Sequence, residues 1–262
     1  MNIHFNDRDL FEKLKSATLA KVKVGSHMYG TNNENSDTDY LYIYATSENE
    51  LFSAMQTHHQ LQFKEDNIDY NFVSLHNFLK NCISGDSTIN FEVIHSGELN
   101  GTDLDWLSKY KDSFITYSII RSYLGLARRD IKHYFKYTDD YNKRKRLGHI
   151  VRGHIYAKEM LNESFDFAKA NAEFKSIKLD VSDNKMLRKY EAIISVNRDW
   201  TTKHFNDKTL KYAQNFEVKA GIELTKELCD FCKSDVFKAK QKILSDFNTD
   251  AFIESFENWV NY

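Results

Sequence analysis

An apolar run, Ala20-Lys-Val-Lys-Val24, leads into Gly25-Ser26, and after a gap of ten residues (27–36) come Asp37 and Asp39, opening a second apolar run. Each residue type has a chemical use at that spacing. Gly25 has no Cβ, so the backbone can turn sharply and approach a ligand, and Ser26 adds a hydroxyl beside backbone N–H groups, a combination suited to phosphate oxygens. In an extended strand residues i and i+2 face the same way, so Asp37 and Asp39 project together. Two carboxylates that close repel unless a cation joins them. Mg²⁺ favours a few carboxylates plus substrate phosphates, and the pattern therefore points to metal-assisted phosphoryl transfer. A lone Gly-Ser or a lone Asp-x-Asp is commonplace in turns and caps. The strand before the glycine, the spacing and the alternating strand after Asp39 set this one apart.

The elements that must position these residues fall into two parts. Asn6 or Asp7 can cap a first helix running to about Leu19, with Leu10, Phe11, Leu14 and Thr18 or Leu19 at helical spacing. Short β-type runs follow: AKVKV before Gly25, DYLYIYA from Asp39, LQF near Leu61 and IDYNFV from Ile68. Ser74 can cap a helix, LHNFLKNCI, that ends at Gly85, and INFEVIH reads as another short helix. From about Asp103 the pattern is helical almost throughout, over DLDWLSKYKDSFITYSIIRSYLGLARRDIKHYFKY, then KRLGHIVRGHIYAKEMLN, then helices from about Asn184 and Asp207. The expected fold class is α+β: a small mixed sheet with helices over residues 1–102, then a helical domain over 103–262.

The 262 residues suffice for a buried core, and 41% hydrophobic with 28% charged residues excludes a disordered chain or a membrane bundle. No apolar run is long enough to span a membrane and the start lacks a signal peptide's apolar stretch, which sets the expectation of a cytoplasmic protein. Cys82, Cys229 and Cys232 make no disulfide framework. The absence of proline, with abundant Asn, Lys, Ile and aromatics, suggests an AT-rich coding sequence such as a bacteriophage carries. The net charge of -2 conceals an asymmetry: residues 1–110 hold 8 basic against 16 acidic side chains, whereas 121–158 hold 11 basic against three acids, Asp130, Asp139 and Asp140. That basic segment reads either as a solvated helical face or as a clamp for a nucleotide or RNA.

The string GSHMYGTNNENSDTDY resembles the signature of the DNA polymerase β-type nucleotidyltransferase superfamily, and within it the predicted nucleotidyltransferases associated with RNA ligases and RNA repair. SGDSTINFEVIHS at 84–96, YLGLARRDI and KRLGHIVRGHIYAKEML extend the likeness over about residues 20–162. The chain departs from that branch after the second aspartate, where Leu41-Tyr42 stand in place of Arg-Gly. The resemblance implies a palm-like catalytic domain and a third carboxylate on a neighbouring strand. Asp69 fits that position, since it alternates with Ile68 and Tyr70, while Glu65 and Asp66 lie in a turn-like stretch. It further implies that Asp37 and Asp39 hold two Mg²⁺ (or Mn²⁺) ions, that Asp69 binds the catalytic ion and takes the acceptor's proton, and that Gly25 and Ser26 hold the β and γ phosphates of an NTP such as ATP.

Secondary candidates follow from position. His27 lies in the phosphate turn, where contact with phosphate and simple turn packing are equally open. Arg152, among mainly apolar neighbours, must meet a partner, and nucleotide phosphate is one candidate; Arg128, Arg129 and Lys145 are others on the helical side. Cys229-Asp-Phe-Cys232 reads as two thiols on a helix, and His58-His59 as surface or packing. An RNA or tRNA end is the expected acceptor. A protein acceptor modified as in antitoxin-type enzymes, a small-molecule acceptor and a non-catalytic nucleotide-binding module remain open alternatives.

Overall fold

The computed structural model describes residues 3–4, 8–34, 36–46, 61–161, 165–204 and 223–245. Five strands form one mixed sheet in the order β1-β4-β5-β3-β2, where β1 is Ile3–His4, β2 Thr18–Val24, β3 Thr38–Tyr44, β4 Leu61–Glu65 and β5 Ile68–Ser74. The pairs β2·β3 and β4·β5 are antiparallel, and β3·β5 and β1·β4 are parallel. Alternation sorts the side chains by face. Leu41, Ile43 and Val73 enter the larger core, while Tyr42, Tyr44, Phe63 and Phe72 pack under the first helix, α1 (Arg8–Ser16), against Leu10, Phe11 and Leu14.

After the sheet come α3 (Leu75–Ser84), which Ser74 caps by accepting from the Asn77 N–H at 3.4 Å, and α4 (Thr88–Ser96); a single-turn helix α2 (Ser26–Tyr29) sits earlier, between β2 and β3. A 3₁₀ helix covers Asp105–Phe114, followed by α5 (Tyr117–Tyr134), α6 (Asp140–Met160), α7 (Phe167–Ser176), α8 (Lys185–His204), a helix over 223–232 and α9 (Asp235–Ser245). The larger core runs without a break from Leu19 in the sheet to Phe237 in α9. None of the helices among the described residues is long and apolar enough to cross a membrane.

One boundary departs from expectation, and one expected helical segment opens in a tighter form. The first helix stops at Ser16 instead of reaching Leu19, because Thr18 Oγ1 bonds back to the Leu14 carbonyl at 2.8 Å and residues 18–24 pair with β3, burying Leu19 in the larger core. The segment after Asp103 opens as a 3₁₀ helix rather than an α-helix: Leu104, Leu107 and Tyr110 recur every three residues, matching a three-residue turn, and Leu107 N–H bonds the Leu104 carbonyl at 3.0 Å. The proposed caps Asn6 and Asp7, His58-His59 and the helix start at Asp207 lie outside the described residues.

Candidate active site

The sheet register assembles the acidic group. Parallel pairing of β3 with β5 sets Asp39 directly beside Asp69, on the same face as Leu41 and Val73, and Asp37 stands just before β3. One carboxylate oxygen from each of Asp37, Asp39 and Asp69 lies within 4.8 Å of the others. Burial, then the neighbouring Asp37 and Asp69 charges, push the Asp39 carboxyl above its ordinary value, with Lys145 and Lys64 opposing the shift. Of the two acids expected in a turn-like stretch, Glu65 instead ends β4, where it pairs with Arg8, and Asp66 occupies the turn with φ 51°.

The glycine-serine turn meets this cluster. Gly25 has φ 65° and ψ -140°, and a Cβ built on it would stand 2.5 Å from Asp39 Oδ2. Ser26 is half-buried and its Oγ is enclosed with no hydrogen-bond partner among the described residues, an unusual state for a hydroxyl. His27 Nε2 lies 3.3 Å from Thr38 Oγ1, tying the turn to the head of β3. Gly30 closes the turn in the left-handed region, with Lys175 Nζ of α7 in the space its Cβ would fill.

Arg152 is placed on the inner side of this turn. Its guanidinium lies over the Tyr29 ring, 3.7 Å from the centroid. The Tyr29 hydroxyl donates to the buried Glu92, which also accepts from Tyr123 at 2.7 Å. Burial raises the Glu92 carboxyl, while Arg152 and the two hydroxyls stabilise its charge. The basic segment is thus partly spent inside the protein. Arg146 and His149 reach the buried Asp130 at 3.0 and 3.1 Å, with Arg129 at 3.5 Å, and together they outweigh burial and hold that carboxyl below its usual range. Cys229 and Cys232 lie on the helix over 223–232.

Three lysines approach the site: Lys145, already a candidate from the helical side, and Lys64 and Lys175, which carried no signal that singled them out. Lys64 faces Asp69 across the antiparallel β4·β5 pair, and its Nζ stands 3.0 Å from Asp69 Oδ1, an ion contact without an aligned hydrogen bond. Asp69, then Asp37 and Asp39, hold this exposed ammonium pKa up. Lys145 acts on Asp39 from α6, and Lys175 approaches Gly30 from α7. Only the fold brings them near residues 25–39.

The acidic donor set fits a hard divalent cation. The three carboxylate oxygens cluster closely, and the charge crowding on Asp39 is what a cation would relieve.

A family model described as the RNA repair pathway DNA polymerase beta family matches residues 9–221, and the chain belongs to that family, a polymerase β-type nucleotidyltransferase family. No curated protein matches the chain. Among solved structures, a nucleotidyltransferase-like protein from Exiguobacterium sibiricum 255-15 aligns over 95% of this chain and 89% of its own, at 10% identity and a TM-score of 0.28.

Proposed function

From that membership and the geometry of the site, we propose that the chain is a divalent-metal-dependent nucleotidyltransferase. It moves a nucleoside monophosphate from an NTP, ATP in this reading, to a hydroxyl at an RNA or tRNA end and releases pyrophosphate. The observation that carries the proposal is the meeting of Asp37, Asp39 and Asp69 within 4.8 Å beside the Gly25-Ser26 turn.

The residues divide the work. Asp37, Asp39 and Asp69 would hold Mg²⁺ or Mn²⁺, which when bound supplies charge neutralisation at the phosphates and a lower pKa for the acceptor hydroxyl. The Ser26 hydroxyl and the turn backbone bind the β and γ phosphates. The acceptor oxygen forms a bond to the α-phosphorus as the bond from that phosphorus to the bridging oxygen breaks, and the electron pair leaves with pyrophosphate. Asp69 receives the hydroxyl proton. Arg152 supports the turn through Tyr29, and Lys145 places positive charge beside Asp39.

Incubating the protein with each α-³²P-labelled NTP and with RNA, protein and small-molecule fractions, with and without EDTA, tests this. EDTA-sensitive label in RNA is expected. Label in protein or in a small molecule would replace the acceptor, and nucleotide binding without any transfer would leave a binding module.

A further inference from the structure

Phe135 and Tyr141 flank the tip of the α5–α6 hairpin and are 65% and 71% exposed; they are the exposed aromatic side chains among the described residues. An exposed ring loses the stabilisation that burial would give it, so two at one tip need a reason. Around them Lys132, Lys136 and Lys145 are exposed and without an ion-pair partner among the described residues. Of the acids there, Asp139 is committed to capping α6, accepting from the Asn142 N–H at 2.8 Å. The tip is therefore basic and aromatic together, the composition that holds single-stranded nucleic acid by charge on phosphates and stacking on bases. An acidic peptide would use the charges but not the rings.

Position supplies the second observation. Tyr141 precedes Lys145 by four residues, about 6 Å along the helix and on the same face. Lys145 is the residue of α6 whose charge acts on Asp39. Tyr141 and Lys145 thus lie about one nucleotide's length apart on one face, so a single strand can meet both.

We propose that this tip receives a single-stranded RNA end, with Tyr141 and Phe135 stacking on the bases next to the terminal nucleotide and the lysines contacting phosphates. The proposal rests on the transfer reading above and names where its acceptor lies.

Fluorescence anisotropy of a labelled single-stranded RNA decamer with the full chain in EDTA tests it. Binding should weaken steeply with salt. Phe135→Ala with Tyr141→Ala should weaken it at least tenfold without altering the salt slope, and Phe135→Tyr with Tyr141→Phe should stay within threefold of the wild type. Lys132→Glu with Lys136→Glu should instead reduce the slope, by about 1.4 if each lysine meets one phosphate. No binding at low salt, wild-type binding by the alanine pair, equal competition by duplex RNA, or an acidic peptide competing at the same rings would overturn the proposal. If RNA bound as described but no NTP transferred label, the transfer reading would fail and the surface would stand.

Discussion

Asp39 Oδ2 occupies the space that a side chain on Gly25 would fill, 2.5 Å from the missing Cβ. The glycine is thus required by the carboxylate as well as by its own φ of 65°. Gly25→Ala should destabilise the protein by about 1–3 kcal/mol and displace Asp39. Thermal melts of Gly25→Ala, Asp39→Ala and the double variant check this: the double should recover the steric part of the loss and keep the backbone part. Full additivity would show that the two residues do not press on each other.

Replacing Asp37 and Asp39 together with Asn removes crowded charge. Because the Asp39 carboxyl is pushed up, its ionised form is disfavoured in the fold, so this group's contribution to stability declines as pH rises through its titration range. At neutral pH and without metal, the double variant should melt above the wild type, by about 2–4 °C per kcal/mol relieved. Mn²⁺ should stabilise only the wild type, and label transfer should vanish from the variant.

Asp69→Asn should lower kcat by about 10²–10⁴ with little change in nucleotide KM, as expected on losing a proton acceptor. Glu65→Gln and Asp66→Asn should be nearly silent, since Glu65 pairs with Arg8 and Asn tolerates the positive φ at 66. Steady-state kinetics on the three variants would expose a wrong assignment if Asp69→Asn were the silent one.

His95 is buried between the rings of Phe91 and Phe165, at 4.3 and 5.0 Å between centroids, and burial followed by the Lys111 charge lowers its pKa to about 3. Between about pH 6.5 and 3 the unfolded chain takes up a proton that the folded chain refuses. Stability should therefore fall as pH drops through that window, by up to about 1.4 kcal/mol per pH unit from this residue. Urea midpoints across pH 4–7 check this: as pH falls, the wild type should lose stability relative to His95→Phe, which lacks this dependence.

What the sequence disclosed here is what local period can encode. The Asp37–Asp39 pair was legible from its spacing, Asp69 only as the third carboxylate that the family resemblance implied, and Ser74 and Gly85 because caps are local chemistry. Lys64 and Lys175 were not, since strand register and helix packing brought them to the turn from β4 and α7. The end of α1 was misplaced for the same reason: pairing with β3 took residues that helical spacing had claimed. Arg129 stood as a candidate phosphate contact until the fold set it, with Arg146, against Asp130.

The grip on Tyr29 has a further consequence for motion. Asn171 donates to its carbonyl at 3.0 Å, Arg152 covers its ring and Glu92 holds its hydroxyl. Helices α6 and α7 therefore cannot swing away from the turn without breaking these contacts, which opposes a hinge between sheet and helices at this seam. Amide hydrogens at Tyr29, Gly30 and Thr31, which bond to Gly25, His27 and Ser26 carbonyls, should exchange as slowly as the helical core does. Slow exchange there would mark the turn between β2 and β3 as a rigid part of the protein, held from the helical side as firmly as from the sheet.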